Sequence, residues 1–224
     1  MAGIEDSLFW IGHGSFYIKG VGKTIIIDPF KITDRVREEA DILLITHGHF
    51  DHCNEEDLAR VVKAETRIIS AEGCDAVKGY ENVTIARPGF KQIVEGVEIE
   101  AVPAYNTDPK KQEYHPRSKN WVGYVIRIPD MTVYHAGDTD FIPEMAELKG
   151  KGIDVALLPI GGTYTMDLED AIQAAEAIGA KRTVPMHFKN LLGREGSERA
   201  IREFKSRVKG ALILEEVQEP TYGF

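Results

Sequence analysis

The residues best suited to chemistry lie in the segment Thr46-His47-Gly48-His49-Phe50-Asp51-His52. Three histidines and an aspartate occur here within six residues, directly after the apolar run 42–45. Imidazole nitrogen and carboxylate oxygen suit borderline divalent ions, zinc first and also manganese, nickel or iron. A solvated polar loop would account for one histidine, but not for three with an aspartate at this spacing. The segment therefore predicts a metal site.

The spacing indicates two ions rather than one. His47 and His49 are two residues apart and can chelate one ion from the same side. Asp51 and His52 are offset from them and begin a second site. Two-metal hydrolytic centres hold their ions about 3.5–4 Å apart with shared ligands, so further histidines and a bridging carboxylate must come from later in the chain.

Hydrophobic and polar patterns place these residues at the ends of strands. Short strands are predicted at 8–11, 15–19, 24–27, 41–45, 67–70, 83–86, 97–102, 121–128, 131–134, 154–159, 182–186 and 211–214. Helices are predicted after Asn54, over 72–78, between Asp167 and Gly179, and from Ser197 to Gly210. The alternation of strands and helices indicates an α/β chain with mixed sheets. Asp138, in a Gly-Asp-Thr turn, and His187 both follow predicted strands, where α/β active sites lie.

The composition indicates one ordinary globular domain over 1–224, with 43% hydrophobic and 28% charged residues. The net charge of −9 argues against a nucleic-acid partner. No apolar run approaches 18 residues and no signal-peptide pattern is evident, which predicts a cytoplasmic protein without a membrane partner. The expected partner is a small-molecule substrate, and a homo-oligomer is compatible with the sequence.

Two cysteines, Cys53 and Cys74, are too few for a disulfide framework. Buried structural thiols are the expected state. An accessory metal or redox role for Cys53, which follows His52, is the alternative.

Three further polar residues have two interpretations each. His13 lies between two glycines and either contacts the site or is a polar turn residue. Asp28 ends a strand and either orients a ligand histidine through its second ring nitrogen or caps the strand. His135 either supports the site or is a satisfied core histidine.

The His47–His52 motif, the turn Gly137-Asp138-Thr139 and the late Pro185-Met186-His187 resemble the metallo-β-lactamase superfamily, over nearly the whole chain. The resemblance implies an αββα sandwich, two mixed β-sheets flanked by helices. Val102-Pro103-Ala104-Tyr105-Asn106 and Leu158-Pro159-Ile160-Gly161-Gly162 look closest to the small ascorbate-6-phosphate lactonase-like hydrolases. N-acylphosphatidylethanolamine phospholipase D is more distantly similar.

The resemblance also implies ligand roles, carried over by position. The first ion takes His47 and His49; the second takes Asp51, His52 and His187; Asp138 bridges them. The family's third histidine for the first ion would follow Pro103, where this chain has Tyr105-Asn106. We expect His115 to supply it, with Asn106 or a weakly bound ion as the alternative.

The predicted function is that of a metal-dependent hydrolase. A hydroxide bridging two divalent ions, oriented by Asp51, would open a lactone or ester or cleave a phosphodiester of a small metabolite. Metal-bound water, His13 or His135 would protonate the leaving group. The loop with Lys110, Lys111, Arg117 and Lys119 is either a site for an anionic substrate group or an ordinary solvated loop.

The rival functions are an RNase Z-like nuclease, a phospholipase D-like phosphodiesterase, a flavodiiron-like redox protein and a non-catalytic metal-dependent sensor. The acidic composition counts against the nuclease. A flavodiiron centre has a carboxylate where this chain has His49, which counts against the redox protein.

Overall fold

Two six-stranded mixed β-sheets pack face to face in the computed structural model, which describes residues 4–222. The first sheet has the order β1-β2-β3-β4-β5-β6, antiparallel over its first three strands and parallel thereafter. Its strands are β1 (Leu8–Gly12), β2 (Ser15–Gly20), β3 (Lys23–Ile27), β4 (Ala40–Ile45), β5 (Val62–Ala71) and β6 (Val83–Ala86). The predicted opening meander of three strands is confirmed.

The second sheet has the order β12-β11-β10-β9-β8-β7, antiparallel from β7 to β10 and parallel from β10 to β12. Its strands are β7 (Lys91–Val94), β8 (Val97–Pro103), β9 (Val122–Ile128), β10 (Met131–His135), β11 (Val155–Pro159) and β12 (Arg182–Met186). Strand β7 was not predicted. Its pattern was weak because three of its four residues are exposed.

Alternating residues of strands in the first sheet face two different apolar layers. In β3, Ile25 and Ile27 face the core between the sheets, whereas Ile26 lies in a second cluster on the outer face. This is the period of two expected for a strand buried on both faces. Tyr124 of β9 joins the sheets, since its hydroxyl donates to the carbonyl of Ile45 at 3.0 Å.

Helices cover the outer faces, which completes the predicted sandwich. Helix α1 (Glu55–Val61) packs against the first sheet and is capped by Asn54, which accepts from two backbone N–H groups. Helices α2 (Leu168–Ile178) and α3 (Lys189–Arg207) contribute to the larger core cluster. Short 3₁₀ helices occupy Ile4–Asp6, Asp75–Gly79, Arg117–Lys119 and Pro143–Leu148. Within residues 4–222, no helix has the length and apolar character needed to cross a bilayer.

Three predicted details differ from the structure. Helix α3 begins at Lys189 rather than Ser197, and Gly193 interrupts it with a φ of 63°. Residues 211–214 do not form a strand; Ala211 makes only an isolated bridge to Thr183 before the chain turns away. Residues 72–74 precede the 3₁₀ turn instead of forming part of a helix.

The prediction of two buried thiols was wrong. Cys53 and Cys74 form a disulfide, with Cα atoms 5.8 Å apart. Both residues are buried, which the prediction anticipated. The bond ties the histidine-rich segment after β4 to the loop after β5, and a sulfur in a disulfide is not the thiolate that binds metal.

Candidate metal centre

The candidate ligands meet at one edge of the sandwich because parallel strands end there. His47–His52 follow β4, Asp138 follows β10 and His187 follows β12. Strands β3, β4 and β5 are parallel in the first sheet, as are β10, β11 and β12 in the second. Their carboxyl ends therefore share an edge, as in other α/β sites.

The first group of ligand atoms belongs to His47, His49 and His115, all within 4.8 Å of one another. Nε2 of His47 lies 3.1 Å from Nδ1 of His49. The indole of Trp121 packs against both imidazoles, with ring centroids 5.0 and 4.8 Å away. Gly48 is required between them, because a Cβ there would overlap the carbonyl oxygen of Gly73. The structure thus brings His115, from the long loop, to the position where a third ligand was expected.

The second group comprises Asp51, His52 and His187, together with His13. Oδ2 of Asp51 lies 3.7 Å from Nε2 of His187 and 3.9 Å from Nε2 of His52. It also lies 3.0 Å from Nε2 of His13. Gly14 allows this packing, since a Cβ there would approach the ring of His52 to 2.9 Å.

Asp138 lies between the two groups. Its Oδ1 is 3.4 Å from Nε2 of His52, and its Oδ2 is 3.1 Å from Nε2 of His187. The same Oδ2 lies 3.4 Å from Nε2 of His115 and 4.0 Å from Nε2 of His47. One carboxylate therefore faces histidines of both groups, which is the geometry required of a bridge.

A buried carboxylate orients the histidines of the first sheet. Asp28 accepts from Nδ1 of His52 at 2.8 Å and from the hydroxyl of Thr46 at 2.5 Å. That hydroxyl in turn accepts from Nδ1 of His47 at 3.0 Å. In both histidines the Nδ1 proton is engaged, so Nε2 presents its lone pair to the site.

Asn106 has the same relation to His115. Its Oδ1 lies 2.8 Å from Nδ1 of the imidazole, and its amide nitrogen donates to Oδ1 of Asp140 and to the carbonyl of Tyr164 at 3.1 and 2.9 Å. Asn106 therefore positions a histidine instead of replacing one. The sequence did not indicate the role of Asp140 or Tyr164, because both contacts span more than thirty residues.

The proposed catalytic use of His135 is not supported. The imidazole is fully buried, its Nε2 donates to the carbonyl of Gly14 at 2.8 Å, and its Nδ1 accepts from the amide of Gly137 at 3.1 Å. Both ring nitrogens are satisfied by backbone groups, so neither can exchange a proton with a substrate. His135 is the satisfied core histidine of the alternative interpretation.

Burial lowers the pKa of several imidazoles and keeps them neutral. The pKa of His13 falls to about 3 and that of His49 to about 4, with desolvation as the largest cause in each. Burial likewise holds the pKa of His47 well below its ordinary value. The neutral imidazole is the form that binds metal.

The two carboxylates are ionised despite their burial. Burial alone would raise the pKa of Asp51 and of Asp138, but the neighbouring imidazoles outweigh it and lower both. Conversely, burial opposes the charge of His187, yet Asp138 raises the pKa of that imidazole to about 9. Two ionised carboxylates are therefore available at the centre to bind cations.

The donor set fits divalent metal ions. Nε2 of His52, His115 and His187 and Oδ1 of Asp138 are buried without a well-aligned hydrogen bond. Such groups are costly unless something binds them. Imidazole nitrogens and carboxylate oxygens converging from several strand ends are the ligands that zinc prefers.

Three residues at the candidate metal centre have an unusual backbone conformation. His13, Asp28 and His187 have φ values of 52°, 45° and 56°, a region that non-glycine residues rarely occupy. The carbonyl of His13 accepts from the amide of His187 at 3.0 Å, which joins the two sheets at the site. Strained residues of this kind cluster at functional sites.

This chain is similar to known proteins in both sequence and structure. The profile of a β-lactamase superfamily domain matches residues 7–187. A UPF0173 metal-dependent hydrolase from Pyrococcus horikoshii is 36% identical over 194 residues, covering 80% of this chain and 83% of that protein. One from Thermoplasma acidophilum is 33% identical over 226 residues, covering 95% and 96%. A crystal structure of a protein from Parabacteroides distasonis, provisionally described as a metal-dependent hydrolase, superposes with a TM-score of 0.79 at 34% identity, covering 94% and 93%.

Proposed function

We propose that this chain holds two divalent ions and hydrolyses a lactone or carboxylic ester of a small metabolite. It belongs to the metallo-β-lactamase superfamily and is one of its metal-dependent hydrolases. The proposal rests on one observation. Two groups of ligand atoms lie around Asp138, and His49, Asp51, His115 and Asp138 line a pocket of about 260 Å³. The pocket is of a size for a small molecule.

Each residue has a defined task in this scheme. His47, His49 and His115 would hold one ion, and Asp51, His52 and His187 would hold the other, with Asp138 placed between the two groups. When bound, two such ions lower the pKa of water and polarise the oxygen of the bond under attack. Five imidazoles among seven ligands suit zinc, nickel or iron better than manganese, and zinc is the ion we propose.

The surrounding residues fix the protons and orientations that this task requires. Asp28 and Asn106 hold Nδ1 protons of ligand histidines, so that each Nε2 is aimed at an ion. His13 donates from Nε2 to Oδ2 of Asp51 and fixes that carboxylate. We assign His13 as a positioning residue, because its contact is to a ligand.

The side chains that line the pocket favour an ester or lactone over a phosphodiester. Among residues 4–222, the charged groups that line it are Asp51 and Asp138, and no lysine or arginine does so. Apart from the ions, these lining side chains offer no cation to the negative charge of a phosphodiester, whereas an ester or lactone needs none.

The test is turnover by zinc-reconstituted protein on γ-butyrolactone and on bis(p-nitrophenyl) phosphate. We expect lactone opening by the wild type and a loss of at least about a hundredfold in Asp138→Asn. Asp130→Asn, at the exposed turn between β9 and β10, is the matched control and keeps the activity. Phosphodiester cleavage alone would replace the lactonase assignment, and an active Asp138→Asn variant would contradict the two-ion scheme.

A further inference from the structure

Three aromatic side chains form the upper wall of the pocket over the candidate metal centre. Phe50, Tyr114 and Tyr164, hereafter the aromatic rim, line it together with His49, Asp51, His115 and Asp138. Phe50 is 60% exposed and Tyr114 37% exposed. Exposed aromatic surface beside a polar floor is the usual form of a small-molecule site.

The rim is held in place by the residues that support the metal ligands. The ring of Phe50 packs edge-to-face on Phe30, with centroids 5.9 Å apart. Tyr114 packs edge-to-face on Tyr164 at 4.8 Å, and the carbonyl of Tyr164 accepts from Asn106. The rim is therefore formed before a substrate arrives, which reduces the entropic cost of binding.

The basic loop does not provide a clamp for an anionic group. Nζ of Lys111 binds the carbonyl of Thr165 at 2.8 Å and lies 3.5 Å from Asp140. Arg117 pairs with Glu144 at 2.9 Å and lies over the ring of Tyr105. Lys110 and Lys119 are exposed and lie outside the lining of the pocket. None of these four cationic side chains is therefore placed to bind the anionic substrate group considered from sequence.

We infer that the centre takes an uncharged lactone or ester with an alkyl or aryl substituent, which the aromatic rim covers next to the reacting bond. The inference rests on the proposed hydrolase function and specifies its substrate class. In the reaction one water adds across the acyl C–O bond. The products are a carboxylate, a proton and the freed hydroxyl.

The test compares three substrates of the zinc-loaded protein: γ-butyrolactone, its γ-heptyl derivative, and 6-phosphoglucono-δ-lactone. We expect kcat/KM for the heptyl lactone to exceed that for γ-butyrolactone by about tenfold or more. Phe50→Ala is expected to lower this ratio about tenfold, the effect of exposing roughly two methylene groups' worth of apolar surface. Ile93→Ala removes another exposed apolar side chain, from β7, and serves as the control, with an unchanged ratio.

A binding measurement separates this inference from the proposed function. The γ-heptyl γ-lactam, which resists hydrolysis, is titrated calorimetrically into zinc-loaded wild type and Phe50→Ala. Binding that weakens about tenfold in the variant, without turnover of any lactone, would support the rim and overturn the proposed reaction. Turnover of all lactones without an apolar preference would overturn the rim and leave the reaction standing. A preference for 6-phosphoglucono-δ-lactone would likewise overturn the inference that the rim selects an uncharged substrate.

Discussion

Asn106 offers a sharp test of how the third histidine of the first group is positioned. Its side chain is buried and connects His115 to Asp140 and Tyr164. The orientation of the amide is determined, because its nitrogen faces two groups that can only accept. Its oxygen must then accept from Nδ1 of His115, which leaves Nε2 of that imidazole as the metal-binding atom.

These contacts determine how much metal affinity and folding stability Asn106→Ala should lose. Removing the hydrogen-bond partner of a metal-bound histidine weakens metal binding about ten- to hundredfold, or about 1.4–2.8 kcal/mol. The substitution also leaves the carbonyl of Tyr164 without this donor and Asp140 with fewer, at a cost of about 1–3 kcal/mol in the free energy of unfolding. The loss in affinity should fall on the ion bound by His47, His49 and His115.

The assay is competition for zinc against a chromophoric chelator, over two equivalents of metal. We expect one site of Asn106→Ala to weaken ten- to hundredfold while the other is retained. Asn82→Ala, which removes an exposed amide hydrogen-bonded to the carbonyl of Ala64, is the control for a lost amide. Unaltered affinity at both sites in a folded Asn106→Ala protein would refute the assignment of His115 as a ligand oriented by Asn106.

Three further predictions follow from other contacts. His13→Ala removes the 3.0 Å contact to Asp51. The same competition assay should then show the affinity for the second ion, but not for the first, lowered about ten- to hundredfold. A loss of affinity at the first site instead would contradict the role of His13 in positioning Asp51. Replacing Cys53 and Cys74 together by Ala should lower the free energy of unfolding by about 3 kcal/mol in urea, since the bond closes a loop across 21 residues, and a reductant should do the same to the wild type. Burial alone would raise the pKa of Asp41, but hydrogen bonds from Lys63 and the amide of Thr24 lower it, so Asp41→Asn should cost about 0.5–1 kcal/mol at pH 7. A lowered carboxyl pKa stabilises fully above the ordinary value of 3.8 and less as the pH falls through the lowered value. The difference should therefore shrink in acid, and a difference that grows as the pH falls below 3.8 would contradict the argument.

Much of the fold was predictable because its strands carry strong local signals. The meander over β1 to β3, the buried strand β4 and the helix that ends at Gly179 have clear periodicity and stop residues. Elements whose hydrophobic pattern is weak or interrupted were not predicted correctly. Strand β7 is mostly exposed, and Gly193 divides α3 so that only its later part reads as a helix.

The candidate ligands were identifiable because residue type and strand position both point to them. The residues that orient them were harder to find, since hydrogen bonds such as Asn106 to Asp140 depend on loops that meet only in the folded chain. His135 is the converse case, for which the sequence left two interpretations open. Its residue type suggested chemistry, and only the contacts to Gly14 and Gly137 reveal a structural role.

The central claim is that two ions flank Asp138, and anomalous diffraction at the zinc edge from crystals of the zinc-loaded protein tests it most directly. We predict two peaks about 3.5–4 Å apart, one beside His47, His49 and His115 and the other beside Asp51, His52 and His187. In Asp138→Ala at least one peak should be lost. A single peak in the wild type, or peaks that do not lie on either side of Asp138, would contradict the two-ion account.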